Sequence, residues 1–180
     1  REFKRNYTNA SAPLYGNDRY HFQYIAKEYP TDIEFNKDLI KIFTLDIETT
    51  AEGGFPDVEN PVEELICLTI KNQSNKNIIT WGTKPFFTDR PEVTYVECKN
   101  EKQMLMEFFK FWTKNYPDVI TGWNTKFFDL PYLCNRIKHL VGDKVINKLS
   151  PWGLIEQEQI TVRGKTCLLY TSPSPRDTLL

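Results

Sequence analysis

From Asp38 onward the chain alternates short apolar runs with amphipathic ones, and that pattern sets the expected elements. Leu39, Ile40, Ile42, Phe43, Leu45 and Ile47 crowd into a nearly continuous hydrophobic run, which predicts a strand buried on both faces of a sheet. Residues 64–70, 78–81, 93–96 and 118–123 read as further strands, the first of them separated from the initial run by the turn formers Glu52-Gly53-Gly54-Phe55-Pro56-Asp57. Leu105, Phe108, Phe109 and Trp112 recur at helical spacing behind Asn100, a cap residue with Gln103 three positions on. This aromatic stripe reads as core packing rather than as a nucleic-acid platform. Leu130, Leu133, Ile137, Leu140 and Val141 mark a second helix, and the alternation predicts an α/β domain with a mixed sheet. Residues 1–37 differ: tyrosines and phenylalanines are scattered among Asn, Asp and Lys without a helical period. That stretch is expected to be a lead-in segment with one or two short strands that pack on a neighbouring N-terminal domain.

Composition changes this picture little. The 180 residues are 40% hydrophobic and 26% charged, enough for one sizeable core. A net charge of −1 gives no global signature of nucleic-acid binding, which argues against a DNA-coating protein. It does not argue against a nuclease, whose acidic cleft is neutralised by metal ions. Cys67, Cys98, Cys134 and Cys167 are too widely spaced for a zinc site and read as reduced thiols. No stretch approaches the ~20 apolar residues of a membrane span, so no membrane partner is expected. No signal peptide is visible, and a chain that begins with Arg1 is expected to be a piece of something longer. Residues 167–180 turn abruptly to Ser and Pro and are expected to be an aberrant or disordered tail, foreign in origin, leaving 38–166 as the domain proper.

The candidate chemistry lies in two clusters. Asp46 and Glu48 sit two residues apart in the strand-like run, so both carboxylates point to one side while Leu45 and Ile47 point to the other. Paired acids held together need either basic partners or hard divalent cations, and an oxygen-rich site suits magnesium or manganese. The second cluster is Thr121-Gly122-Trp123-Asn124-Thr125-Lys126-Phe127-Phe128-Asp129-Leu130-Pro131, in which Asp129 stands where a strand end meets the next helix. Taken alone, Asp129 is most simply a helix N-cap, and a lone Asp-x-Glu on a strand is equally commonplace. Together they form a compound pattern that chance rarely assembles. Lys126 reads as a solvated loop lysine, and His21 and His139 are too far apart to share a site.

On these residues the stretch from about Phe43 to Pro151 resembles the 3′-5′ exonuclease domain of family B DNA polymerases, above all those of the T-even-type bacteriophages. Asp46-Ile47-Glu48 is similar to the first exonuclease motif, and Asn124 through Phe128-Asp129 to the second. The Gly54-Phe55-Pro56 loop, the helix start at Asn100-Glu101, Asn135-Arg136-Ile137-Lys138 and Leu149-Ser150-Pro151 match in kind and order. The resemblance implies a ribonuclease H-like fold with a mixed sheet, truncated at its C-terminus. It implies two divalent cations, Mg2+ or Mn2+, with Asp46 bridging them, Glu48 on the water-activating ion and Asp129 supporting the other. Asn124 and Phe128 would lie beside the terminal nucleotide, although Phe128 reads nearly as well as core. The implied partners are a DNA primer-template with its single-stranded 3′ end, the remainder of the polymerase chain, and replisome proteins such as a sliding clamp and a single-stranded DNA-binding protein. The implied location is the cytoplasm of an infected bacterial host. A free-standing exonuclease of the same fold and a non-catalytic α/β module whose acids pair with Lys or Arg remain as other readings. The family's Tyr-x-x-x-Asp motif, source of a fourth carboxylate, does not occur in the 180 residues. The chain by itself is therefore expected to be a weak or inactive nuclease.

Overall fold

The hydrophobic run around Phe43 folds as strand β1 (Ile42–Thr49), and it is buried on one face only. Phe43, Leu45 and Ile47 are buried, whereas Asp46 and Glu48 on the opposite face are exposed. The expectation of a strand covered on both sides is thus corrected: Leu39 and its neighbours belong to a 3-10 turn (Lys37–Leu39) ahead of the strand, and within β1 the large apolar residues alternate with polar ones. The computed structural model describes residues 20–32, 34, 36–162 and 165–171. The chain divides into two compact units, Arg1–Lys37 and Asp38–Leu180.

In the second unit, strands β2 (Leu65–Asn72), β3 (Ile78–Gly82), β4 (Val93–Glu97) and β5 (Val119–Thr121) join β1 in a five-stranded sheet ordered β4-β3-β2-β1-β5. The sheet is mixed. β1 runs antiparallel to β2, and β2 to β3, while β3 pairs parallel with β4 and β1 parallel with β5. In this register Asp46 faces Thr69 and Glu48 faces Cys67, with an irregularity between Glu48 and Thr49.

Two helices cover the inward face. Helix α2 (Glu101–Trp112) starts as its sequence dictates: the Asn100 side chain accepts from the Gln103 amide at 2.9 Å, and the Gln103 side chain accepts from the Lys99 amide at 2.8 Å. Its Met104, Leu105, Phe108 and Trp112 are buried, with the Phe108 ring edge-on to Trp81 at 5.8 Å and Trp112 near Phe43 at 6.3 Å. The stripe is core, and each such side chain contributes about 1.5–3 kcal/mol by leaving water. Helix α3 (Asp129–Val141) adds Tyr132, Leu133 and Ile137 to the same core. A short helix α4 (Asp143–Ile146) and a 3-10 turn (Asn147–Leu149) follow, tied to α2 by the Trp112 indole N–H donating to the Leu149 carbonyl at 2.9 Å.

Strands β6 (Glu156–Val162) and β7 (Lys165–Thr171) form a separate antiparallel hairpin that the hydrophobic pattern did not announce. The sequence reading closed the domain at residue 166, but the pairing with β6 carries β7 on to Thr171. Residues 172–180 of the proposed tail lie outside the described residues.

In the first unit the described residues form helix α1 (Tyr20–Glu28) and no strand, and the expectation of short strands otherwise falls on residues 1–19, which lie outside the described residues. No Gly or Pro interrupts residues 17–29, the Tyr29 amide closes the last turn on the Ile25 carbonyl at 2.9 Å, and Pro30 stops the helix. Phe22, Ile25, Ala26 and Tyr29 recur through this stretch at helical spacing, and the Phe22, Tyr24 and Tyr29 side chains are exposed.

Candidate active site

β5 stops at Thr121, so the β1 backbone beyond Thr44 has no strand partner on that side. The turn that follows supplies one from side chains. The Thr125 hydroxyl donates to the Leu45 carbonyl at 3.4 Å, and the Asp129 carboxylate accepts from the Ile47 amide at 3.1 Å. Leu45 and Ile47 present these groups to one edge because backbone polar groups alternate sides along a strand. The turn is tightly built. A Cβ on Gly122 would come within 2.0 Å of the Thr125 hydroxyl oxygen and 2.6 Å of the Leu45 carbonyl oxygen, so only glycine fits. Asn124 takes a left-handed conformation, φ 57°, which Asn tolerates well, and its carbonyl accepts from the amides of Phe127 and Phe128.

Asp129 is therefore not an N-cap. Phe128 holds the cap position of α3 without a side-chain cap bond, and Asp129 is the first helical residue, its carboxylate turned toward β1. It is 3% exposed. Burial raises its carboxyl above the ordinary aspartate range; the Ile47 N–H opposes the rise, and the negative charges of Asp46 and Glu48 add to it. Ile47 lies between those two acids in sequence, so the third carboxylate docks on the very peptide that separates the first two.

Asp46 and Glu48 themselves point to solvent from the outer face of the sheet. Among the described residues no Lys or Arg forms an ion pair with either. Beside them the Thr69 and Thr80 hydroxyls share a hydrogen bond at 3.0 Å, and burial, reinforced by the charges of Glu48 and Asp46, raises the Cys67 thiol above its usual range. The donor set, three carboxylates without a cation, matches hard divalent ions in chemistry. As placed, the side chains do not close a coordination shell: among the described residues no three His, Cys, Asp or Glu groups gather tightly enough to hold an ion.

Phe128 is half-buried, stacked on Tyr132 at 5.6 Å and tilted against Phe55 at 5.3 Å, so it is partly core and partly site wall. Phe55 is 86% exposed at the crest of the β1–β2 loop, and Trp123 is 93% exposed on the turn beside Leu45. Neither was singled out from sequence as a site residue, although an aromatic between Gly54 and Pro56 is the kind of signal that marks an exposed ring on a stiff loop. Glu63 was also missed. Its carboxylate takes the Thr50 hydroxyl and the Gly53 amide (2.9 Å), and these bonds, the Thr50 hydroxyl first, hold its carboxyl below the usual range.

The family model for the exonuclease domain of DNA polymerase family B matches residues 15–168. The chain belongs to that family. The DNA-directed DNA polymerase of Escherichia phage RB69 is 27% identical over 161 residues, covering 76% of this chain and 18% of that protein. That of Enterobacteria phage T4 is 25% identical, covering 89% of this chain and 20% of its own length. The DNA polymerase delta catalytic subunit of Candida albicans is 36% identical over 107 residues, 56% of this chain. The chain thus spans about a fifth of the length of the two phage polymerases it matches. The exonuclease domain of family B is ribonuclease H-like, and the five-stranded mixed sheet with its helices is consistent with that fold. No helix among the described residues is long and apolar enough to cross a membrane.

Proposed function

We propose that this chain is part of the proofreading 3′-5′ exonuclease of a replicative family B DNA polymerase, with Asp46, Glu48 and Asp129 as its catalytic acids. The contact that carries the reading is the Asp129 carboxylate on the Ile47 amide, which ties the acid of the second motif to the strand bearing the first. Two divalent cations, Mg2+ or Mn2+, held by these three carboxylates would supply a hydroxide near neutral pH and neutralise charge at the departing 3′ oxygen. The chain's own residues then grip and orient the substrate. The exposed Phe55 ring, backed by Phe128, offers a stacking surface to an unpaired base, which suits a frayed single-stranded 3′ end. Asn124 stands on the turn beside Asp129, where its side chain can meet the terminal nucleotide. A mismatched end frays at lower cost, and this favours its removal.

A non-catalytic module would need Lys or Arg on Asp46 and Glu48, and among the described residues neither acid has such a partner. In the whole protein the partners are a primer-template, the remainder of the polymerase, a sliding clamp and a single-stranded DNA-binding protein, in the cytoplasm of an infected bacterium. The 180 residues contain no Tyr-x-x-x-Asp motif, so the chain alone is expected to cleave DNA weakly or not at all.

The test is thermal unfolding with and without Mn2+. The unaltered chain should gain stability with Mn2+, and Asp46→Ala combined with Glu48→Ala should not, because only binding to the folded site raises the midpoint. Equal response, or none in either protein, refutes the assignment.

A further inference from the structure

Four positions of α3 lie on one face of the helix: Asp129 and, three, six and seven residues on, Tyr132, Asn135 and Arg136. Asp129 holds the acidic strand. The other three all reach the β1–β2 loop, and every bond they make there ends on a backbone carbonyl. The Tyr132 hydroxyl donates to the Glu63 carbonyl at 2.6 Å, and the Asn135 amide to the Val58 carbonyl at 2.7 Å. The Arg136 guanidinium donates to the carbonyls of Pro61 (2.9 Å) and Val62 (3.0 Å), while its other nitrogens clamp the buried Glu101 carboxylate at 2.8 and 2.7 Å. Glu101 in turn accepts from the Leu65 amide at 2.9 Å, where the loop enters β2. At the opposite end Glu63 gathers the Thr50 hydroxyl and the Gly53 amide, and the Phe55 ring rests on Phe128, itself stacked on Tyr132.

A surface loop of this length, left to itself, is solvated and mobile, because loop carbonyls ordinarily bond water. Here four of them are taken by one helix. Such a pattern fixes the loop's path whatever the loop's own sequence prefers, and it fixes it relative to Asp129, because one rigid helix carries both sets of contacts.

Resting on the nuclease reading above, we infer that this face of α3 is a clasp that sets the β1–β2 loop as a wall of the single-strand groove, with Tyr132, Asn135 and Arg136 as positioning residues for the 3′ end. They touch no substrate. They hold the loop that presents Phe55 at a set distance from the acids, so their loss should weaken the grip on DNA and leave the metal response intact.

Tyr132→Phe is the mild test, since it removes only the hydroxyl bond to Glu63 and keeps the ring on Phe128. Asn135→Ala is the second variant. Arg136 is spared, because its loss would strand the buried Glu101 and destabilise the core as well as the loop. Tyr116→Phe serves as control, removing a comparable hydroxyl bond, to the Lys148 carbonyl at 2.8 Å, far from the loop in sequence. Hydrogen exchange of the loop amides at 51–64 is measured without DNA, and affinity for a labelled oligothymidine in Ca2+ is measured separately. In both clasp variants loop exchange should speed about fivefold, the factor for one net hydrogen bond, with β1–β3 unchanged and oligothymidine affinity weakened to a similar degree. The control should change neither. Unaltered loop exchange, or faster exchange with unchanged affinity, overturns the proposal. If the unaltered chain fails to bind oligothymidine, the nuclease reading falls with the groove, while the exchange data still decide whether α3 holds the loop.

Discussion

Replacing Asp129 separates its two roles, as an acceptor for a strand amide and as an anion beside two others. Asp129→Asn keeps an oxygen where the Ile47 N–H needs one and removes the charge that faces Asp46 and Glu48. Asp129→Ala removes both. A buried amide left without an acceptor costs about 1–3 kcal/mol. At about 3 °C per kcal/mol for a domain of this size, the Ala variant should melt about 3–9 °C below the parent, whereas the Asn variant should stay within about 2 °C of it. Metal response should divide the proteins differently. At a Mn2+ concentration one hundredfold above Kd, binding stabilises the folded state by about 2.7 kcal/mol, or about 8 °C. The parent should show that rise, and both variants should lose most of it. Scanning calorimetry with and without Mn2+ reads all of these quantities. If the Asn variant melts as low as the Ala variant, the Ile47 bond is not what Asp129 contributes to folding. If Asn retains the full Mn2+ shift, Asp129 is not a metal ligand.

Other substitutions test the frame around the site. Gly122→Ala drives a methyl into Thr125 and the Leu45 carbonyl and should cost about 1–3 kcal/mol by urea unfolding; an unchanged midpoint would show that the turn is looser than its geometry implies. Arg136→Met strands the buried Glu101 and should cost about 3–5 kcal/mol, only part of it recovered when Glu101→Leu is added, because the Leu65 amide and the Pro61 and Val62 carbonyls stay unpartnered; a single-variant loss below about 1 kcal/mol contradicts this. Because the bonds from Thr50 and Gly53 lower the Glu63 carboxyl, the turn at 50–53 gains stability above the ordinary glutamate range and loses it as pH falls through the lowered value. Acid should therefore speed proteolysis of that turn in the parent, with a flatter response in Glu63→Gln, and identical pH profiles would refute the role given to Glu63.

Local chemistry was legible in the sequence wherever one residue type suffices. The Asn100 cap, the stripe from Leu105 to Trp112 and the placement of Asp46 and Glu48 on one side of a strand all follow from short-range periods and cap preferences. The helix at Tyr20–Glu28 carries Phe22, Ile25 and Ala26, with Tyr29 just past its end, at helical spacing, a signal hidden by the tyrosines on its other side and in the residues before it. The β6–β7 hairpin escaped for two reasons: Glu and Gln alternate through the start of β6 with little hydrophobic contrast, and the apolar run at 167–170 of β7 reads as part of the tail because Ser and Pro follow it.

What the sequence by itself determined is the pair of acids on one strand and a third at a helix start, since spacing alone dictates which way those side chains leave the backbone. It could not decide how they meet. That the strand is open on its acidic face depends on which face the helices cover, and Asp129 finds Ile47 only because β5 ends early and leaves the β1 edge in need of partners. The grip of α3 on the β1–β2 loop is likewise a tertiary decision. Tyr132, Asn135 and Arg136 share a helix face by periodicity, but carbonyls about seventy residues away accept from them only once the core around Phe108 and Leu133 has set the helix against the sheet.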